Sequence, residues 1–363
     1  MRVALVHDWL TGLRGGERVL EQLCLLYPEA DIFTLVHEKG ACGDIIESRR
    51  ITSSFLNRLP REHYRRYLPL FPLAIRSLDL RGYDFVVSTS HAVAKGCRPP
   101  RDALHVSYVH TPMRYVWDQF DAYFGPGRAD LPTRLAAHLC APYLRAWDVR
   151  STKSVGGIIA NSQFVAERIR RYWGREPDAV VYPPVDTGRF LPASEGPEDY
   201  ALVVSALVPY KRIELAVEAF TREGRPLLIA GDGPSRADLQ ARAGPTVRFL
   251  GSVAGDELPR LYARARFFVL PGEEDFGIAA VEAQAAGRPV LALGRGGAVE
   301  TVVGGETGLF FSEPNVEAVR DAVAEMYRAR WDPQRIRAHA LRFDVARFRP
   351  ELESAIDSIR RSR

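Results

Sequence analysis

The chain reads as an α/β protein made of two Rossmann-like halves, each a parallel sheet flanked by helices. Three observations lead there. Short apolar runs alternate with segments of helical periodicity along the whole length, the pattern of βα repetition. The alternation breaks once, at the double proline Pro183-Pro184 and the polar stretch 192–199. A length of 363 residues suits two domains of ordinary size, each able to bury its own core. With 46% apolar and 26% charged residues, the composition excludes a disordered or fibrous chain. A net charge of +4 fits anionic ligands or an anionic membrane surface and does not single out nucleic acid. Cys24, Cys42, Cys97 and Cys140 form no CxxC pair, as expected of reduced thiols in a cytosolic protein. The opening residues read as a strand, not a cleavable signal. No apolar run reaches the roughly 20 residues needed to span a bilayer, so any membrane contact is expected to be peripheral.

In chain order, the first strand is Val3-Ala4-Leu5-Val6, ending in His7-Asp8-Trp9. A loop carrying Gly15 and Gly16 follows, and a helix is expected to open at Glu17. Strand, glycine-bearing loop and helix together can cradle a phosphate, because glycine lets backbone N–H groups come close to an anion. A tight turn has the same look, and the loop is not GxGxxG. Further strands are expected at 32–36, 85–88, 106–109 and 157–160. Residues 58–73 interleave Arg65, Arg66 and Tyr67 with aliphatic residues and three prolines, which rule out a long helix. This stretch reads either as an interfacial patch for anionic lipid or as a solvated loop with a few buried aromatics. His110 stands at the carboxyl end of the fourth strand, before Thr111-Pro112 and near Arg114, and is expected to project into a crevice, although a lone histidine is more often structural. His91 is a second candidate. Asn161-Ser162 reads as the N-cap of a helix over 163–171.

The second half begins with a strand over 200–205 and the segment Ala206 to Arg212, then a helix through Phe220. Lys211 falls at the strand-to-helix junction, where an ammonium can neutralise a phosphate. Residues 227–230 form a strand that ends in the turn Gly231-Asp232-Gly233, and 247–251 form another. The most informative stretch is Pro271-Gly272-Glu273-Glu274-Asp275-Phe276-Gly277-Ile278, which follows a buried strand and opens a helix. Glu274 lies in the loop and Glu282 a turn inside the helix, eight positions on. The N–H groups of Gly277 and Ile278 open that helix and make a phosphate seat. Acids favoured by the helix dipole give the same local pattern. The convergence at a strand's carboxyl end, where open α/β sheets bind ligands, is what favours a site. Gly294 to Gly297 is a further glycine-rich loop, and 331–363 is a basic helical tail.

Here the sequence resembles the E-x7-E element of retaining glycosyltransferases of family 4, and within them bacterial mannosyltransferases that use GDP-mannose in polysaccharide or O-antigen assembly. The resemblance implies the GT-B fold, with two Rossmann-like β/α/β domains facing a central cleft. It implies an acceptor-binding domain over 1–190, completed by a helix over about 345–363, and a nucleotide-sugar domain over 191–344. His110, Glu274 and Lys211 would be catalytic. Gly15, Gly16, Ala206, Lys211, Arg212, Gly231, Gly233, Phe276, Gly277, Ile278 and Glu282 would bind donor, with Glu282 on the ribose and Glu274 on the sugar hydroxyls. His91, Arg65, Arg66, Tyr67 and Arg114 would lie on the acceptor side. The family usually has Arg where this chain has Ala206, which leaves Arg212 or Arg295 as substitutes or a weaker grip on the donor. No metal and no cofactor are expected, and the protein is expected in the cytoplasm or at the inner face of the membrane. The acceptor would be a saccharide or a polyprenyl-diphosphate-linked sugar, with no nucleic acid partner. A UDP-sugar transferase of the same family, a GT-B sugar-nucleotide epimerase and a non-catalytic binding protein stay open.

Overall fold

The computed structural model describes residues 1–127, 129–253 and 255–362, apart from the side chains of Glu62 and His63, which fall in the 58–73 stretch. It has two compact units, Met1–Pro183 with Phe348–Arg363, and Pro184–Arg347.

Unit 1 holds strands β1 (Val3–His7), β2 (Asp31–Thr34), β3 (Ile51–Ser53), β4 (Phe85–Ser90), β5 (Leu104–Val109), β6 (Gly157–Ala160) and β7 (Ala179–Val180). They form one parallel sheet in the order β3-β2-β1-β4-β5-β6-β7. β1, β4 and β6 are buried along their whole length, as a parallel sheet covered on both faces requires. Alternation along β1 sends Leu5 to one face and Ala4 and Val6 to the other. Leu5 packs with Val19, Leu20 and Leu23, and also with Phe348, Leu352 and Ile356 from the end of the chain. Ile359 fills the space over Gly157, where a Cβ would come within 2.6 Å of its side chain. Ala4 and Val6 pack with Phe71, Ala74, Val93 and Trp147.

The first helix, Gly15–Leu26, opens two residues ahead of the expected Glu17. Glu17 is instead its third residue, and its carboxylate accepts from the Arg14 N–H at 3.0 Å. Ser162 caps the Gln163–Trp173 helix, its Oγ accepting from the Val165 N–H at 3.0 Å, worth about 1 kcal/mol. The 58–73 stretch splits between its two readings. It forms short 3₁₀ turns and the Phe71–Arg76 helix, with Tyr64 and Phe71 buried and Arg65 and Arg66 exposed.

Unit 2 holds β8 (Ala201–Val204), β9 (Leu227–Ala230), β10 (Val247–Gly251), β11 (Phe267–Leu270), β12 (Val290–Leu293) and β13 (Gly308–Phe311). The sheet is again parallel, in the order β10-β9-β8-β11-β12-β13. β9 and β10 match the expected bounds residue for residue. β3, β12 and β13 are additions, three- and four-residue strands too short to show a period of their own. In each sheet the strand order reverses once, between β1 and β4 and between β8 and β11. The crevice outside the carboxyl ends at such a reversal is where this architecture binds ligands.

Candidate active site

At the reversal in unit 2, β8 delivers Lys211 and β11 delivers Glu274. The Lys211 ammonium is ion-paired with Glu274 Oε1, and both side chains are largely shielded from water. Gly272 makes this possible. A Cβ at position 272 would come 2.7 Å from the Lys211 carbonyl oxygen and 2.8 Å from its Cα. The loop after β11 can approach Lys211 only without a side chain there.

A second loop clasps the same segment from the other side. The Gly297 N–H donates to the Glu274 carbonyl at 2.7 Å. A Cβ on Gly296 would meet that oxygen at 2.5 Å, and one on Gly297 would meet the Phe276 Cα at 2.4 Å. Phe276 is buried against Phe343, with ring centroids 5.4 Å apart, and so anchors the loop from below. Gly277 takes φ +95°, open to glycine at little cost, and caps the Ile278–Ala285 helix. Ile278 is the first residue of that helix, and Glu282 lies one turn in. The buried Tyr262 hydroxyl donates to Glu282 Oε2 at 2.8 Å and fixes its orientation.

The other residues expected on the donor side divide. Gly231 (φ +132°) would put a Cβ 1.9 Å from the Ser205 carbonyl oxygen, and Gly233 one 2.4 Å from that of Leu207. Their role in the fold is to let the β9 turn pack on the 205–207 loop. Ala206 is exposed on that loop. Arg212, at φ +52°, is bonded to Glu214 at 2.6 Å and to the Pro314 carbonyl at 3.2 Å. Arg295 donates to the Ser312 carbonyl at 3.2 Å. Both candidate substitutes for the arginine absent at position 206 are thus engaged elsewhere in unit 2.

At the reversal in unit 1 stands a cluster of three imidazoles and two carboxylates. Asp8, fully buried, accepts four backbone N–H bonds from the turn after β4. They come from His91 (2.7 Å) and Ala92 (2.9 Å) to Oδ2, and from Val93 (2.6 Å) and Ala94 (2.7 Å) to Oδ1. Burial pushes this carboxyl up, but the adjacent His91 and the backbone donors pull it below the usual carboxylate range. His91 Nδ1 lies 3.3 Å from Asp8 Oδ2, and its ring meets Trp9 edge-on at 4.3 Å. His7 Nδ1 is 2.6 Å from Thr89 Oγ1, and its Nε2 is 3.6 Å from Glu17. Glu17 too is held low, with His7 outweighing burial.

His110 has its ring 6.1 Å from His91 and 5.2 Å from Tyr108. Burial, with the neighbouring His91 and His7, drives its pKa down to about 3, so it is a neutral imidazole at working pH. Its Nε2 is buried with no hydrogen-bond partner among the described residues. That atom lies 3.6 Å from where a Cβ on Gly16 would be, and His7 Cε1 lies 3.5 Å from it. Gly16, His110 and His91 therefore come together, with Gly15 beside them at the helix start.

The sequence does not single out His7, Asp8 and Glu17 as site residues. Their one signal is the placement of His7-Asp8 at the end of β1, directly before the glycine loop. Among the acceptor-side candidates, His91 has its pKa lowered by burial first, then by His7 and last by the Arg114 charge, against the pull of Asp8 and Glu17. Arg65 donates to the Tyr64 hydroxyl and Tyr67 to the Pro60 carbonyl, so both are held within their own segment. Tyr64 is the link from that segment toward His91, packing on Trp9 at 5.3 Å.

Two Rossmann-like units in one chain, each a parallel sheet with a single reversal of strand order, are the architecture of the GT-B class of sugar-nucleotide enzymes. Comparison with known proteins agrees. Residues 13–189 match the family described as Glycosyltransferase Family 4, and residues 187–342 match Glycosyl transferases group 1. With the two matches running end to end, the chain belongs to this glycosyltransferase family, the one its E-x7-E element resembles.

A GDP-mannose-dependent alpha-(1-6)-phosphatidylinositol monomannoside mannosyltransferase of Mycobacterium tuberculosis is 34% identical over 195 residues, 46% of this chain and 51% of that one. A GDP-mannose-dependent alpha-mannosyltransferase of Mycolicibacterium smegmatis is 34% identical over 179 residues, 47% of this chain and 48% of the relative. The chain spans about half the length of the curated relatives it matches. Among solved structures, the sucrose-phosphate synthase of Thermosynechococcus elongatus superposes with a TM-score of 0.73 at 19% identity, covering 100% of both chains. Anabaena HepE in complex with UDP-glucose gives 0.70 at 18% identity, covering 99% of this chain and 100% of that one. These likenesses show the fold.

Proposed function

We propose that the chain is a retaining hexosyltransferase that moves mannose from GDP-mannose onto a saccharide acceptor carried on a lipid, at the inner face of the cell membrane. The observation that carries this reading is the Lys211–Glu274 pair beside the Gly277-capped helix. An ammonium and a helix N-terminus at one strand-order reversal supply positive potential where a leaving diphosphate gathers charge. The names of the mycobacterial relatives support GDP-mannose as donor.

In this reading an acceptor hydroxyl oxygen bonds to the anomeric carbon on the face from which GDP departs. The bond from that carbon to the phosphate oxygen breaks, its electron pair staying with the phosphate, and the acceptor proton passes to that same phosphate. Lys211 leaves Glu274 for the diphosphate, which frees the carboxylate to accept from sugar hydroxyls. Glu282, oriented by Tyr262, takes the ribose hydroxyls. His110, a neutral imidazole with an unpartnered Nε2, is suited to hydrogen-bond a sugar hydroxyl and not to act as a cation. No step calls on a metal ion.

The test is a thermal-shift and donor-hydrolysis profile against GDP-mannose, UDP-glucose, UDP-N-acetylglucosamine and the free nucleotides, with and without EDTA. Stabilisation by GDP and GDP-mannose that is indifferent to EDTA and lost in Lys211→Ala and Glu282→Ala is expected. Stabilisation by uridine nucleotides overturns the donor and keeps the class. Silence toward every nucleotide overturns the transferase reading.

A further inference from the structure

The Leu131–Ser151 helix of unit 1 buries only its second half, through Ala141, Leu144, Trp147, Asp148 and Ser151. Its first half presents Leu131, Leu135, Leu139 and Tyr143 to water, exposed by 63%, 58%, 81% and 48%. A spacing of four puts these side chains in one row along the helix. Pro132, Ala136 and Pro142 beside them are exposed as well. Contiguous apolar surface of this kind marks a binding face.

Charge decides what covers it. From Leu131 to Trp147 the only formally charged residues are Arg134 and Arg145. The next acid, Asp148, is buried and paired with Lys95 at 2.5 Å. Asp130, the N-cap, accepts from the Thr133 N–H and also feels the charge of Arg66. Tyr64 and Phe71 share one buried cluster with Leu144 and Trp147, with Tyr67, Leu68 and Cys140 packed against it, which sets the 58–76 stretch alongside this helix, with exposed Arg58, Arg61, Arg65, Arg66 and Arg76 and the exposed Leu70 and Leu73. A second copy of the chain meeting this face isologously would set those cations against one another. An anionic bilayer answers both features, taking the leucines among its acyl chains and the guanidiniums among its headgroups.

We propose that the exposed face of the Leu131–Ser151 helix, flanked by the arginines of residues 58–76, docks unit 1 onto an anionic bilayer surface. This deepens the reading of a lipid-linked acceptor and rests on it for its purpose alone. The test reads binding without turnover, so either idea can fail by itself. Co-sedimentation is measured with vesicles of phosphatidylcholine and of phosphatidylcholine mixed with phosphatidylglycerol, at low and high salt. Binding to the anionic vesicles is expected to be about tenfold tighter, and to weaken in salt. The double substitution Leu135→Glu, Leu139→Glu is expected to lower it by about tenfold while the thermal shift given by GDP-mannose stays as in the parent. Equal binding to both vesicles, or none to either, overturns the proposal. So does a dimer in the parent that the double variant dissociates, which assigns the leucine row to a second copy.

Discussion

The two units share a topology and use it differently. In unit 1 the carboxylate at the reversal point, Asp8, is fully buried and given over to four backbone N–H groups of the next loop. Its charge is consumed in building the wall that presents His91. In unit 2 the charges at the equivalent place, Lys211 and Glu274, are bound to each other and are only partly buried. In the proposed function that pair opens toward a ligand. One fold thus offers two uses for charge at a switch point, to fix a loop or to await an anion. Which one applies is set by how completely neighbouring backbone satisfies the group.

The largest test of this contrast is Lys211→Met. Transfer is expected to fall about 100- to 1,000-fold while stability moves by no more than about 1–2 kcal/mol. Steady-state kinetics with GDP-mannose beside a denaturant titration separates the two, and a collapse in stability with activity per folded molecule intact reverses the assignment. Asp8→Asn should do the opposite. Four N–H groups lose a charged acceptor and two of them face an amide NH2 instead, so a loss of about 3 kcal/mol is expected in the same titration. An unchanged melting midpoint would show that Asp8 does not hold the loop after β4.

Tyr262→Phe sharpens the unit 2 side. Glu282 loses its orienting donor at a cost of about 1 kcal/mol, seen as roughly fivefold weaker nucleotide binding by calorimetry with kcat little changed. Gly16→Ala probes unit 1. The added methyl sits at ordinary contact distance from His7 and His110, so stability should stay within about 1 kcal/mol, while KM for donor or acceptor rises because the space at His110 Nε2 is filled.

The smallest effect is on pH. His110 and His91 have lowered folded pKa values, so between those and about 6.5 the unfolded chain binds protons that the folded one does not. Stability therefore rises with pH up to about 6.5 and falls on acidification. Asp8 and Glu17, also lowered, add their stabilisation above the carboxylate range and lose it further down. Melting temperature measured from pH 7 to 4 should decline, with a shallower slope in His110→Gln.

Legibility follows the same divide. Glu274, Gly277, Ile278 and Glu282 lie within nine consecutive residues, so strand, break and helix register alone place them relative to one another. The tyrosine that orients Glu282 comes from twenty positions away, and nothing local to Tyr262 announces a partner. In unit 1, His7 and Asp8 are visible only as the end of a strand, because the partners of Asp8 and the Thr89 partner of His7 lie more than 80 positions later, in β4 and the turn after it. The leucine row of 131–143 has helical spacing in the sequence, but spacing does not say which face a helix buries.

By itself the sequence determined the two α/β halves, the Ser162 cap and the carboxylates flanking Gly277, because these depend on backbone preference and periodicity over a few residues. The tertiary structure alone decided that Gly272 admits Lys211 to Glu274 and that Asp8 is spent on a loop. It also decided that Arg212 and Arg295 are engaged elsewhere. Each of these depends on which distant backbone comes within hydrogen-bonding reach, a distance that only the assembled sheets define.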